Sequence, residues 1–237
     1  MIPRRRIALV LSLAGALLIP AVAFSAPGHT EPLAPGTPVH RAVQLMGTCA
    51  LGTVGEPELI GDLYPPDDTY FMLIRPTTCG PCSVTVLSNV RVWLEFRKPC
   101  SVPVTIGVVR SFGSPCMLPD PGQIVFPAFA TVLTATETGA QEFLIPVPAE
   151  WRLDADAFLA VNFTAETDTC SSEEERPRIA LKDGCPRCVA YESFSASTPE
   201  DVCQFGAGLP LLSVDVSECI PTPLRPRSWG TLKIKYR

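Results

Sequence analysis

Between Arg41 and Cys219, apolar residues recur with a period of two in short runs set apart by turn residues, and a helical period is almost absent. The runs at 41–46, 69–74, 84–97, 103–110, 129–134, 141–147, 157–164, 178–182, 189–194 and 211–217 predict strands. The longest is the clearest. From 84 to 96 the even positions hold Val84, Val86, Val90, Val92, Leu94 and Phe96, with Ser88 the exception, while the odd positions hold Thr85, Leu87, Asn89, Arg91, Trp93 and Glu95. Such alternation packs one face of a strand and wets the other. The run exceeds the usual strand length, which predicts a bulge or bend at Ser88-Asn89. Most of the 26 prolines fall between the runs, where they suit loops and strand ends and oppose helices. An all-β fold follows: a two-sheet β-sandwich of jelly-roll kind, with few or no helices beyond the N-terminal apolar segment. Two smaller sandwiches divided near Pro119 to Pro127 are the alternative.

The ends of the chain read differently. Arg4, Arg5 and Arg6 precede an apolar run from Ile7 to Leu18 and then Ala21-Val22-Ala23, the pattern of a secretory signal peptide over residues 1–23. Cleavage is expected after Ala23, with Ser25 as the alternative. Residues 24–40 form a Pro-rich leader, expected to be exposed; 41–219 form the β-sandwich domain; 220–237 form a Pro-rich linker and basic tail. In the tail, Leu232, Ile234 and Tyr236 alternate as in a strand, while Trp229, Leu232 and Tyr236 equally fit a helical stripe capped by Ser228. The expected location is secreted or extracytoplasmic, in a periplasm or on a cell surface, with no membrane span left after signal cleavage.

That location changes the reading of the cysteines. All ten lie beyond the signal, and in an exported chain an even count favours disulfides. Pro186 sits at the second position of the turn Cys185-Pro186-Arg187-Cys188, where its fixed φ suits types I and II, so Cys185 and Cys188 are expected to bridge locally. Pro81 sits at the third position of Cys79-Gly80-Pro81-Cys82, which type I disfavours, so Cys79 and Cys82 are expected to find different partners or an unusual turn. The remaining expected pairs are Cys100 with Cys116, Cys170 with Cys203, and Cys49 with Cys219. The two C-x-x-C motifs could together supply a zinc site, but 102 residues separate them, far from the usual spacing.

Charge and histidine set aside whole classes of chemistry. All 24 acidic residues but only 11 of the 19 basic ones fall between residues 24 and 219, so the body should repel nucleic acid. The two histidines, His29 and His40, flank the leader, which leaves the patterned body without a Ser-His or Cys-His pair or an imidazole metal site. No phosphate-binding, dinucleotide-binding or nucleophile-elbow motif is present, and no cofactor is expected. Carboxylates at Asp67-Asp68, Asp154 with Asp156, Glu166 with Asp168, Glu173 to Glu175 and Asp215 could serve glycoside hydrolysis, or be ordinary loop acids. Asp154 and Asp156 are also weak calcium candidates, though without EF-hand spacing. For ligand binding the candidates are Trp93, Arg91 and Glu95. If Val92 and Leu94 face the core, Trp93 faces away from it, where it could stack a sugar ring or pack under a loop or second layer. Asn162-Phe163-Thr164 matches a glycosylation sequon inside a strand run, and is read as chance.

Two resemblances bear on these readings. Cys79-Gly80-Pro81-Cys82 is identical to the active-site tetrapeptide of thioredoxin-like oxidoreductases, which implies Cys79 as attacking thiolate and Cys82 as resolving thiol. That mechanism needs a helix after the first cysteine. Residues 83–97 instead alternate and are rich in β-branched side chains. Over residues 41–219 the chain is similar to secreted bacterial cysteine-bridged β-sandwich proteins. The likeness lies in the cysteine pair before a long alternating strand, in Cys100 shortly after it, and in Leu211 to Val216 leading into Cys219; it implies a fold and no activity. The function expected is a non-catalytic module for extracellular binding or structure, with a carbohydrate or protein partner. A carboxylate-dependent hydrolase and a thioredoxin-like oxidoreductase using Cys79 and Cys82 are the alternatives.

Overall fold

In chain order the strands are β1 (Thr30–Pro32), β2 (Val39–His40), β3 (Cys49–Gly52), β4 (Leu59–Gly61), β5 (Asp68–Ile74), β6 (Cys82–Phe96), β7 (Ser101–Phe112), β8 (Leu118–Thr134), β9 (Gly139–Leu153), β10 (Ala157–Phe163), β11 (Arg178–Lys182), β12 (Ala190–Phe194), β13 (Glu200–Asp201), β14 (Leu209–Pro210) and β15 (Leu212–Pro221). They come from a computed structural model that describes residues 30–42, 49–63, 68–164, 170, 175–194, 197–206 and 208–221. Sheet A runs in the order β1-β4-β11-β6-β15-β3, with β9 on the other edge of β6, β2 on β9 and β14 on β11. Sheet B runs β13-β12-β5-β10-β7-β8. Every pairing is antiparallel except β2 with β9. Among the described residues the regular structure apart from short 3-10 turns, such as Pro76–Cys79 and Val202–Phe205, is strand, in two sheets as the alternation predicts. Among the described residues no helix is long and apolar enough to cross a membrane.

The core lies between the sheets. Sheet A contributes Val90, Val92, Leu94 and Phe96 of β6 with Leu212, Val214 and Val216 of β15; sheet B contributes Tyr70, Met72 and Ile74 of β5 with Leu159 and Val161 of β10. The expected irregularity at Ser88-Asn89 is a bulge: opposite β15 the register passes from Leu87↔Val216 to Asn89↔Asp215 and skips Ser88, while opposite β9 residues 147–150 loop out of the pairing at the same point. Its effect corrects the simple even-odd reading, because the extra residue turns the strand over. Before the bulge the core residue is the odd-numbered Leu87; after it, the even-numbered Val90 onwards. β8 pairs with β7 from Leu118 to Thr134, so residues 119–127 form part of one sheet and do not divide two sandwiches.

The leader is also corrected. Thr30–Pro32 pairs with β4 and Val39–His40 with β9, so part of the segment expected to stand clear forms sheet strands. β15 continues through Pro221, two residues beyond the expected end of the domain. Predicted strand 41–46 falls mostly, and the signal peptide and the basic tail wholly, outside the described residues.

All ten cysteines are bridged: Cys49–Cys79, Cys82–Cys219, Cys100–Cys170, Cys116–Cys188 and Cys185–Cys203. Cys79 and Cys82 do part, around Gly80 at φ 119°, a left-handed conformation that favours glycine. The four expected pairings are replaced, each for a geometric reason. Cys100 and Cys116 flank the 12 residues of β7, which hold them roughly 40 Å apart. Cys170 instead meets Cys100, because the end of β10 lies beside the start of β7 (Phe163↔Val104). Cys49 lies opposite Val216, so Cys219 is three residues further along β15 and reaches Cys82. Cys188 adopts φ 67° and its N–H donates to Asp201 Oδ2 (2.9 Å), while Cys203 N donates to Asp201 Oδ1 (2.9 Å). Asp201 thereby orders both loops, with Cys185 on Cys203 and Cys188 on Cys116 in place of a local Cys185–Cys188 bridge.

Loop entropy ranks these bridges. Cys82–Cys219 spans 137 residues and Cys185–Cys203 spans 18, so their removal should cost about 5 and about 3 kcal/mol respectively. The measurement is urea unfolding of the paired Cys→Ala variants, with peptide mapping of the unreduced protein to verify all five connections.

Candidate functional site

On β6 the side opposite the core carries the three residues singled out for binding. Arg91, Trp93 and Glu95 do share that face, but they are covered: Arg91 is 6%, Trp93 4% and Glu95 7% exposed. This corrects the picture of Trp93 as an open stacking platform. Trp93 packs with Ala140, Ala180 and Leu211 of neighbouring segments, the second-layer outcome. Its charged neighbours are neutralised in place. Arg91 Nε and Nη2 donate to Asp215 Oδ1 (2.7 Å) and Oδ2 (2.9 Å), and Nη1 donates to Glu142 Oε1 (2.9 Å). The bonds to Asp215, helped by those to Glu142, hold the guanidinium pKa above its ordinary value against the effect of burial. Glu95 Oε2 accepts from Arg178 Nε (3.0 Å), and Arg178 also pairs with Glu31 of β1. A cavity of about 280 Å³ lies beside Arg91 and Trp93, walled by Thr53, Glu142 and Ser213.

Of the other acids, Asp67, Glu166, Asp168, Glu173 and Glu174 lie outside the described residues. Asp215 belongs to the Arg91 pair, and Asp156 faces Arg75 at 3.5 Å while Asp154 takes no part in a metal-ligating group among the described residues. One such group is Cys116, Cys188 and Asp201, but its two sulfurs are bonded to each other and offer no thiolate. Asp68 instead meets a residue the sequence did not single out. Asp68 and Glu192 bracket Tyr70 on adjacent strands, and Tyr70 and Glu192 line a cavity of about 20 Å³, roughly the room for one water. Burial, then the charges of Asp68 and Glu192, push the Tyr70 hydroxyl well above its usual range. Burial likewise raises the Glu192 carboxyl, against the bonds from Tyr70 and Asp68 and with the Glu200 charge adding to it. Cys79 and Cys82, bridged to Cys49 and Cys219, are not a dithiol pair, so the thioredoxin-like arrangement does not form.

A larger depression lies on the outer face of sheet B, with a volume of about 530 Å³. Register builds it. Ser193 lies opposite Thr69, Thr69 opposite Asn162, and Asn162 opposite Thr105, so four uncharged polar residues form a row across β12, β5, β10 and β7. Two residues along, Tyr191, Phe71, Ala160 and Gly107 form a parallel row that is mostly apolar. Gly107 lets β8 come close, since a Cβ there would lie 3.2 Å from the Ala128 Cβ. β8 then supplies a wall. Its register slips between Ile124↔Val109 and Asp120↔Arg110, and the extra residues are held by Gly122 N and Gln123 Nε2 donating to Asp120 (3.0 and 2.8 Å). Pro121 and Ile124, the latter 65% exposed, line the depression, and no charged side chain does. Asn162 Nδ2 donates to Thr69 Oγ1 (2.8 Å) and Thr164 Oγ1 donates to Asn162 Oδ1 (3.1 Å), which fixes the amide. The sequence reading passed over this face, noting Asn162 only as a sequon match. The available signal was Gly107 and Ala160, two small residues interrupting bulky strand runs.

Comparison with known proteins adds a distant likeness. No family model and no curated protein matches the chain. Among solved structures it is similar to the cysteine protease and lectin-like domains of Cwp84, a surface layer associated protein of Clostridium difficile, with a TM-score of 0.46 and 9% identity over 74% of this chain. The chain spans 37% of that structure's length, and a likeness at this level carries no argument about fold or function.

Two outcomes follow from the buried charges. Arg91→Ala leaves Asp215 and Glu142 covered without their cation and is expected to lower unfolding free energy by about 3–5 kcal/mol, whereas replacing all three by apolar residues recovers most of the loss; urea titration of both variants is the check. Because the folded-state pKa of Glu192 is raised, its contribution to stability is complete below the ordinary value of 4.5 and is lost as pH rises through the folded value. Glu192→Gln should flatten that decline, read as unfolding free energy across the acid-to-neutral range.

Proposed function

We propose that the protein is a secreted or surface-displayed, non-catalytic module that binds an extracellular carbohydrate in the depression on sheet B. The observation behind this reading is the pair of rows on that face, one of fixed uncharged polar groups and one mostly apolar, enclosed by the β8 wall. Sugars present this combination in reverse, with hydroxyl edges around an apolar ring face, and a site of this kind is mostly apolar with a few placed polar groups. Five disulfides fit an extracytoplasmic protein. A hydrolase reading has less support, because within the carboxyl pair Asp68 and Glu192 only Glu192 lines the cavity, a space no larger than a water.

A glycan array probed with the mature chain, Asn162→Ala and Ala160→Leu is the direct test. Neutral glycans should bind, Asn162→Ala should weaken them about tenfold, the loss of roughly 1.4 kcal/mol, and Ala160→Leu should abolish the signal by filling the floor. Normal unfolding curves for both variants separate this from misfolding. An array with no binders, or binders indifferent to both substitutions, overturns the reading.

A further inference from the structure

The strand register narrows the ligand class. We infer that the carbohydrate is a linear, neutral, equatorially linked pyranose chain lying across the strands of sheet B, with one ring over each strand. This rests on the reading of the sheet-B depression as the binding site.

Three observations carry it. The first is spacing. Ser193, Thr69, Asn162 and Thr105 stand on four successive strands in direct register, so they recur at about 4.8 Å and span roughly 14 Å. One pyranose unit with its equatorial linkage advances by nearly the same length, so each ring meets one polar rung. An extended peptide does not match, since its same-face side chains recur every two residues, at about 6.8 Å. The second is the parallel row of Phe71, Ala160 and Gly107, about 7 Å away along the strands. Phe71 (3% exposed) and Gly107 lie beneath the rings as a floor, and the half-buried Ala160 with the exposed Ala128 and Ile124 of the β8 wall meets the CH faces while hydroxyls at the ring edge reach the polar row. The small side chains at the centre of that floor let a ring settle onto the sheet. The third is charge. No charged side chain lines the depression, so a uronate, sulfate or phosphate would be desolvated without a partner.

The rungs have unused capacity of the right kind. Asn162 spends one amide N–H on Thr69 and accepts one bond from Thr164, which leaves a second N–H, a second lone pair and the Thr69 hydroxyl proton for ligand hydroxyls. At the β12 end Ser193 is 4% exposed and its hydroxyl donates to Ser197 O (2.7 Å), so the exposed Ser197 is the group that meets a ring there.

The test is calorimetric titration of the mature chain with neutral β-1,4-linked gluco-oligosaccharides of one to six rings. Affinity should climb with each ring up to about four, one for each strand of the row, and then level off. Thr105→Ala, at one end of the row, should shorten the plateau by one ring. Affinity independent of length, or a plateau unmoved by Thr105→Ala, overturns the inference. So does array binding restricted to charged or branched glycans, with the carbohydrate-binding reading left standing. If no glycan binds in any format, both fall together.

Discussion

Sheet A depends on β6 being paired along both edges. β9 runs along one side from Thr85 to Phe96, and β15 then β11 take the other, with β15 leaving off at Val92 and β11 taking over at Leu94. A strand in that position cannot afford an unpaired or solvated face. The bulge at Ser88 reconciles its length with the twist of the sheet by turning over which residues reach the core. β15 answers with an extra residue of its own, Ser217, between Val216↔Leu87 and Glu218↔Val86. The two irregularities lie side by side, so the bend is shared by two neighbouring strands.

The covered face of β6 shows what such a position demands of charged residues. Each cation lies between two acids: Arg91 between Asp215 and Glu142, and Arg178 between Glu95 and Glu31. Ion pairs of this kind add little net stability against apolar replacements, since desolvation offsets attraction. Their contribution here is register. Glu95 lies directly opposite Arg178, and Trp93 directly opposite Glu142. A slip by one residue would turn these charged side chains onto the core face. The outer layer thus specifies which strands pair, and the apolar core supplies the driving force.

Much of the fold was legible because alternation is a local property. Long runs such as 84–97 and 157–164 announced their strands, and the mismatch between strand length and pattern announced the bulge. What escaped was anything set by neighbours distant in sequence. The short strands β1, β2 and β4 have too few residues for a period to show. Trp93 looks outward on its own strand, and only the approach of Ala140, Ala180 and Leu211 covers it. Disulfide partners were misassigned for the same reason, since Cys100 and Cys116 are near in sequence yet sit at opposite ends of β7. The sheet-B row is the clearest case. Ser193, Thr69, Asn162 and Thr105 are each an ordinary polar position, and they become a row only through three independent registers.

The Cys82–Cys219 bridge has a consequence for how the chain is made. Cys82 opens β6, and its partner lies 137 residues downstream on β15, the neighbour that completes one edge of that strand. In a chain that emerges N-terminus first, the thiol of Cys82 therefore has no native partner until Cys219 follows, while Cys79, three residues away, already has Cys49 upstream to pair with. Closure of the Cys49–Cys79 loop removes the nearest wrong partner from Cys82 before the right one arrives. The order in which the chain emerges thus protects the connectivity, and sheet A is sealed as a late event of maturation.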